Sequence, residues 1–337
     1  MSILSLLRPV LTATLALVLM TGTASARCAG TNLLDHLDPA DSLALEAATA
    51  AQPFARGNLW QATRGGASVT LLGTYHMADP RHEAVIDRMR PLIAGATALL
   101  VEAGPEEERA LKRDIAETPA LLFLTEGDSL MQQMPAAEWQ RVAAALAARK
   151  IPPFMGAKMR PWYLATMLAI APCDMAEVSA GRGLDHRVMD LATEAGRPIR
   201  ALEPHTTLFR IFDRLTPEQQ LEMLRSSLVM EDRVADFAIT LSAAYFAEDS
   251  RRMWEYLRLI SGRMPDYTPA RADAEFALME EALMTERNRA WIPVIEDAAA
   301  GGPVVAAFGA LHLAGQGGVL NLLAERGWQV TRLPLAP

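Results

Sequence analysis

Two short segments near opposite ends of the chain share the pattern Gly-x-x-His: Gly73-Thr74-Tyr75-His76 and Gly309-Ala310-Leu311-His312. Each closes an apolar run of strand length, Val69–Leu72 before the first and Val304–Phe308 before the second. Such runs are strand-like when Gly and Pro bound them. If the two strands are parallel neighbours, both imidazoles emerge just past carboxyl ends, where open α/β sheets place their ligand crevice. Two imidazoles meeting there suggest a metal. Glycine three residues before each histidine supplies either a positive φ or a close backbone approach at the turn.

The other apolar runs extend the pattern. Asn58–Thr63 and Ser68–Leu72 flank Arg64-Gly65-Gly66-Ala67, which predicts a hairpin. Ala98–Val101 predicts a buried strand ending on Glu102, Pro198–Leu202 one ending on Glu203, and Trp328–Leu333 a last strand. Helical character fills the intervals: Glu106–Glu117, Ala136–Arg149, Trp162–Ile170, Leu184–Ala195, then nearly everything from Pro217 to Ala300. Thr216 before Pro217-Glu218 is a good N-cap and first turn. Long helices between strands imply an α/β fold, a parallel or mixed central sheet covered on its faces and carrying two large helical insertions.

Under this assignment four ionisable residues leave four carboxyl ends: His76, Glu102, Glu203 and His312. One such exit is ordinary, because strands must leave the core somewhere. Four drawn from His and Glu match the ligands of a hard or borderline divalent ion, with nitrogen and oxygen donors and no thiolate. Other candidates are weaker. His82-Glu83-Ala84-Val85-Ile86 begins like a zinc-protease helix motif, but Ile86 stands where the second histidine belongs, so a solvated helix start is expected. Gly181-Arg182-Gly183 lacks the preceding strand a phosphate loop needs. Asp185 and His186 look first like a helix start, although an acid after Gly183-Leu184 could face the cleft. No Gly-x-Ser-x-Gly elbow occurs, which disfavours a nucleophilic triad. By spacing alone, Arg287 and Asn288 belong to an exposed helix face.

The N-terminus carries Arg8, an apolar run from Val10 to Met20, and Ala24-Ser25-Ala26, the small-x-small exit of a secretory signal peptide. Residues 1–26 are therefore set apart, and 27–337 are expected to form one exported, periplasmic domain. That run and Trp162–Ala171 are both short for a bilayer span, so no stable transmembrane segment is expected after cleavage. A net charge of −8 argues against a nucleic-acid partner, and 51% apolar residues can fill a real core. The two cysteines, Cys28 and Cys173, could form one bridge in an oxidising compartment or remain two buried thiols.

Taken together, Leu71–His76, Leu99–Glu102, Gly183-Leu184-Asp185, Leu202-Glu203, Glu286-Arg287-Asn288 and Gly309–Leu313 resemble the TraB/GumN family, which includes the Tiki metal-dependent proteases acting on Wnt. The blocks run in family order from about Asn58 to Leu333. The resemblance implies a fold related to erythromycin-esterase and ChaN-like proteins, and a centre using His76, Glu102 and His312. It implies manganese or cobalt as the metal, zinc being an alternative, and brings Arg287 and Asn288 into the site.

The resulting expectation is an exported metal-dependent hydrolase, most simply a peptidase with a peptide or protein substrate. His76, Glu102 and His312 would bind the ion, Glu203 would act as general base or behind the ligands, and Arg287 with Asn288 would stabilise an oxyanion. Two alternatives keep the same residues: a metal-dependent esterase, and a non-catalytic periplasmic accessory or binding protein for polysaccharide export.

Overall fold

In the computed structural model, residues 28–263 and 268–335 are described, and the segment assigned to a signal peptide lies outside them. Six strands form one sheet: β1 Leu59–Arg64, β2 Ala67–Thr74, β3 Ala98–Val101, β4 Ile199–Ala201, β5 Val304–Gly309 and β6 Gln329–Leu333. Their order is β4-β3-β5-β2-β1-β6. β2, β5, β3 and β4 run parallel, while β1 pairs antiparallel with both β2 and β6. The sheet is therefore mixed. β5, late in the chain, inserts between β2 and β3, so all four parallel strands release their carboxyl ends along one edge.

Period-two alternation assigns each strand two cores. Leu72, Leu99, Val101, Val305 and Ala307 face α2 (His82–Ala94) and α6 (Leu184–Glu194), through Ile86, Met89, Val188 and Ala192. Val69, Leu71, Leu100, Ala306 and Phe308 face α11 (Glu286–Ala300) and α12 (Val319–Glu325), through Trp291, Ile295, Leu320 and Leu323. All four β3 side chains are buried, as a strand covered on both faces requires. Truncating Leu71, fully buried, to Ala would cost about 2–5 kcal/mol.

The remaining long helices are α1 Pro39–Ala50, α3 Pro105–Glu117, α4 Ala136–Ala148, α5 Pro161–Leu168, α7 Pro217–Met230, α8 Val234–Phe246, α9 Ser250–Ser261 and α10 Pro269–Glu280. The first insertion follows β3 and the second follows β4. They share a third core away from the sheet, where Val142, Leu146, Leu164, Leu168, Leu224 and Leu228 meet. The buried Arg149 guanidinium pins it, donating to Ala145, Leu168 and Ile170 carbonyls and to both Glu231 oxygens. No helix among the described residues is long and apolar enough to cross a membrane.

Two expectations resolve here. Cys28 and Cys173 are joined in a disulfide, tying the N-terminal segment to the connection before α6. His82 does begin a helix, but it is not solvated: its ring is fully buried among Tyr75, Tyr245 and Phe246. The first turn of α2 packs inward against α8, which periodicity within α2 alone does not reveal.

Candidate active site

The two Gly-x-x-His turns are neighbours because β2 and β5 pair in parallel with Gly73 opposite Phe308 and Thr74 opposite Gly309. Space, not backbone sign, explains both glycines, since neither has a positive φ. A Cβ on Gly73 would sit 2.8 Å from Ala310 Cα, so the first turn rests directly on the second. A Cβ on Gly309 would fill the point on which Glu102 Oε1 and His76 Nε2, each 3.3 Å away, and His312 Cδ2, 3.8 Å away, converge.

Each histidine has a partner behind it. His76 Nδ1 lies 3.3 Å from Asp185 Oδ1, an ion-pair contact outside hydrogen-bond alignment, and 59% of its side chain is open to the cleft. A loop from α6 sets this contact: Leu184 N donates to the Tyr75 carbonyl, and a Cβ on Gly183 would land on the His76 carbonyl oxygen. His312, buried, donates from Nδ1 to Asn288 Oδ1 at 2.6 Å, which leaves its Nε2 lone pair facing the cleft. Arg287 Nη1 donates to that lone pair at 3.1 Å.

Arg287 links the acids. Nη2 donates to Glu102 Oε2 and to Glu203 Oε1, each at 2.6 Å, Nε reaches both Glu203 oxygens, and Nη1 also reaches the Leu283 carbonyl. Its five N–H groups are therefore occupied, and an oxyanion would have to take a donor from His312. Glu203 also accepts from Trp291 Nε1 at 3.0 Å, which makes it the anchor of Arg287. Glu102 accepts from Gly309 N at 2.6 Å as well as from Arg287. Asn288 binds the His312 ring and carbonyl and the Gly317 carbonyl, so it orients the loop that carries His312, and both its amide N–H groups are occupied.

Charge follows this geometry. Desolvation by the groups packed behind His76 pulls its pKa down although one side of the ring is open to the cleft, and the Asp185 carboxylate, helped by Glu102, more than reverses it, to about 9. Burial is the largest influence on Glu102 and would raise it; His312, Arg287, His76 and the Gly309 N–H bring it down to about 2. His312 is lowered to about 4 by burial, with Arg287 and His76 adding and Glu102 opposing. At neutral pH the His312 ring is thus uncharged, and Arg287 and His76 carry the positive charge that holds Glu102 ionised.

The donor types suit a divalent cation. Two imidazoles and a carboxylate oxygen border one space, His76 through Nε2 and His312 through the Cδ2 edge of its ring, and each imidazole has a polar group behind its Nδ1, as metal-bound histidines require. Closure is incomplete: among the described residues, the ligand atoms that all come within 4.8 Å of one another are those of Cys28, Cys173 and Asp174, whose sulfurs are already bonded to each other. The Nε2 lone pair that a cation would need on His312 already accepts from Arg287 Nη1, so an ion bound there would have to displace that donor.

Asp185 emerges as part of the site although its sequence position looked first like a helix start, and so does Trp291, which carried no polar signal. His186 and Glu108 extend the Asp185 contact outward: His186 Nδ1 lies 3.1 Å from Asp185 Oδ2, and its Nε2 3.2 Å from Glu108 Oε1. The legible signal was Gly183 as N-cap followed by an acid in the first turn, where the helix dipole favours a carboxylate. A family model described as the TraB/PrgY/gumN family matches residues 58–332. No curated protein matches the chain.

Proposed function

The chain belongs to the TraB/PrgY/gumN family, and on that premise we propose that it is an exported hydrolase, most simply a metal-dependent peptidase, with His76, Glu102 and His312 as metal ligands. The observation that carries the reading is the convergence of His76 Nε2, Glu102 Oε1 and the His312 ring on the space above Gly309. Manganese or cobalt is the metal implied by the resemblance to the Tiki branch. A divalent ion there would supply Lewis acidity and a bound water of lowered pKa. The chain's own residues do the rest. Asp185 keeps His76 Nε2 directed inward, and Asn288 does the same for His312. Glu203 and Trp291 hold Arg287, whose Nη1 is the donor nearest the cleft for a developing oxyanion once it leaves His312. Export rests on the apolar run and small-residue exit before residue 27, together with the disulfide, which persists in oxidising compartments.

A second reading is favoured by one contact, the Arg287 donation to His312 Nε2. In it Arg287 remains the cation of the site, and His76 with Asp185 acts as general base on water without a metal once its ring has lost its proton, so turnover rises toward about pH 9. Elemental analysis of the purified protein, with peptide and ester libraries assayed with manganese, cobalt, zinc or a chelator, separates the two. Metal stoichiometry lost in His76→Ala and His312→Ala, along with turnover, supports the first. Chelator-resistant turnover that still needs His76 supports the second. A metal-free protein with no turnover overturns both and favours an accessory or binding role.

A further inference from the structure

The contacts around Asp185 form a line, not a pair. Its carboxylate sits between two imidazoles, His76 at Oδ1 and His186 at Oδ2, and His186 is held from its far side by Glu108. The three elements differ: His76 follows β2, Asp185 and His186 open α6, and Glu108 lies in the first turn of α3, the helix that follows Glu102. His186 therefore ties together the two helix starts that border the cleft.

The geometry points to His186, braced by Glu108, as the positioning residue that aims Asp185 at His76. Asp185 needs such a brace. Its Oδ1 is buried and, among the described residues, has the poorly aligned His76 contact and no hydrogen-bond donor to fix the carboxylate plane from that side. The other oxygen lies 3.1 Å from His186 Nδ1, and Glu108 Oε1 lies 3.2 Å from His186 Nε2, so ion-pair contacts at both nitrogens restrain the imidazole that faces Asp185. Asp185 alone would be free to turn toward solvent and release His76 Nδ1. Glu108 and His186 are both partly open to solvent and touch no proposed ligand, so their contact has no evident duty in the core.

The protein has six histidines, so selective ¹⁵N-histidine labelling gives a spectrum in which His76 is assignable through His76→Gln. The test needs neither substrate nor metal. His186→Ala is expected to shift the His76 ring-nitrogen resonances, with signals of His36 and His205 unmoved. His186→Asn, whose amide can still donate to Asp185, is expected to restore most of that shift, and Glu108→Gln to produce a smaller shift of the same sign. A positioning role is overturned if His76 resonances are unchanged in both His186→Ala and Glu108→Gln, or if His186→Asn shifts them as far as Ala does. Should His186→Ala fail to fold, the Asn and Gln variants decide alone: displacement in Glu108→Gln greater than in His186→Asn supports the line of contacts, and any other pattern, no displacement in either included, overturns it.

Discussion

Gly309 is the residue through which the site can be tested most cleanly. Its φ of −49° suits any residue, so alanine there meets no backbone penalty, yet the new methyl would occupy the space shared by His76, Glu102 and His312. Gly309→Ala is expected to cut metal uptake and hydrolysis by at least about tenfold while changing the unfolding free energy by less than about 1.5 kcal/mol. Parallel metal titration and urea unfolding would check both halves. His82 makes a separate prediction. Burial lowers its pKa to about 4, and both ring nitrogens lack hydrogen-bond partners among the described residues. Because the folded value lies below the ordinary 6.5, the unfolded chain binds the proton first as pH falls. Stability is complete above about pH 6.5 and declines by up to about 3 kcal/mol on the way to pH 4. His82→Leu should flatten that decline, seen as a smaller difference in urea midpoint between pH 7 and pH 4.5.

At the level of elements, the connection from Cys173 to Asp185 matters more than its length suggests. It is tethered at one end by the disulfide and at the other by Gly183 against the His76 carbonyl. The bridge closes a loop with a sequence separation of 145 residues. Removing it with Cys28→Ser and Cys173→Ser together should therefore cost about 2–5 kcal/mol in urea unfolding. Strand positions were legible in the sequence because short apolar runs between Gly and Pro have few other uses. β3 matches its expected span residue for residue, and β4 and β6 each begin one residue late. Helix ends were also close, because Pro217 after Thr216 and Gly196 after α6 are local signals. What α2 and α8 do to each other was not legible, since His82 is buried by residues far along the chain.

For the whole molecule, a ligand that binds only the folded state raises stability by mass action. If the ion binds as proposed, manganese at about a hundred times its dissociation constant should add about 2.7 kcal/mol, and His76→Ala or His312→Ala should abolish the gain. A thermal melt with and without the ion would check it; equal shifts in wild type and both variants would place binding elsewhere.

By itself, the sequence determined the α/β class, the six strands and the two ends that carry histidine, because these depend on periodicity and turn chemistry within a few residues. It also named Glu102, Glu203, Arg287 and Asn288. Only the tertiary structure decided their duties. Arg287 is held by Glu203 and Trp291, Asn288 serves the His312 ring, and Asp185 and His186 stand behind His76. Those assignments depend on which groups lie within 3 Å or so across strands, helices and insertions distant in sequence. Hydrogen bonds and charge act over such distances in space, and a linear pattern does not record them.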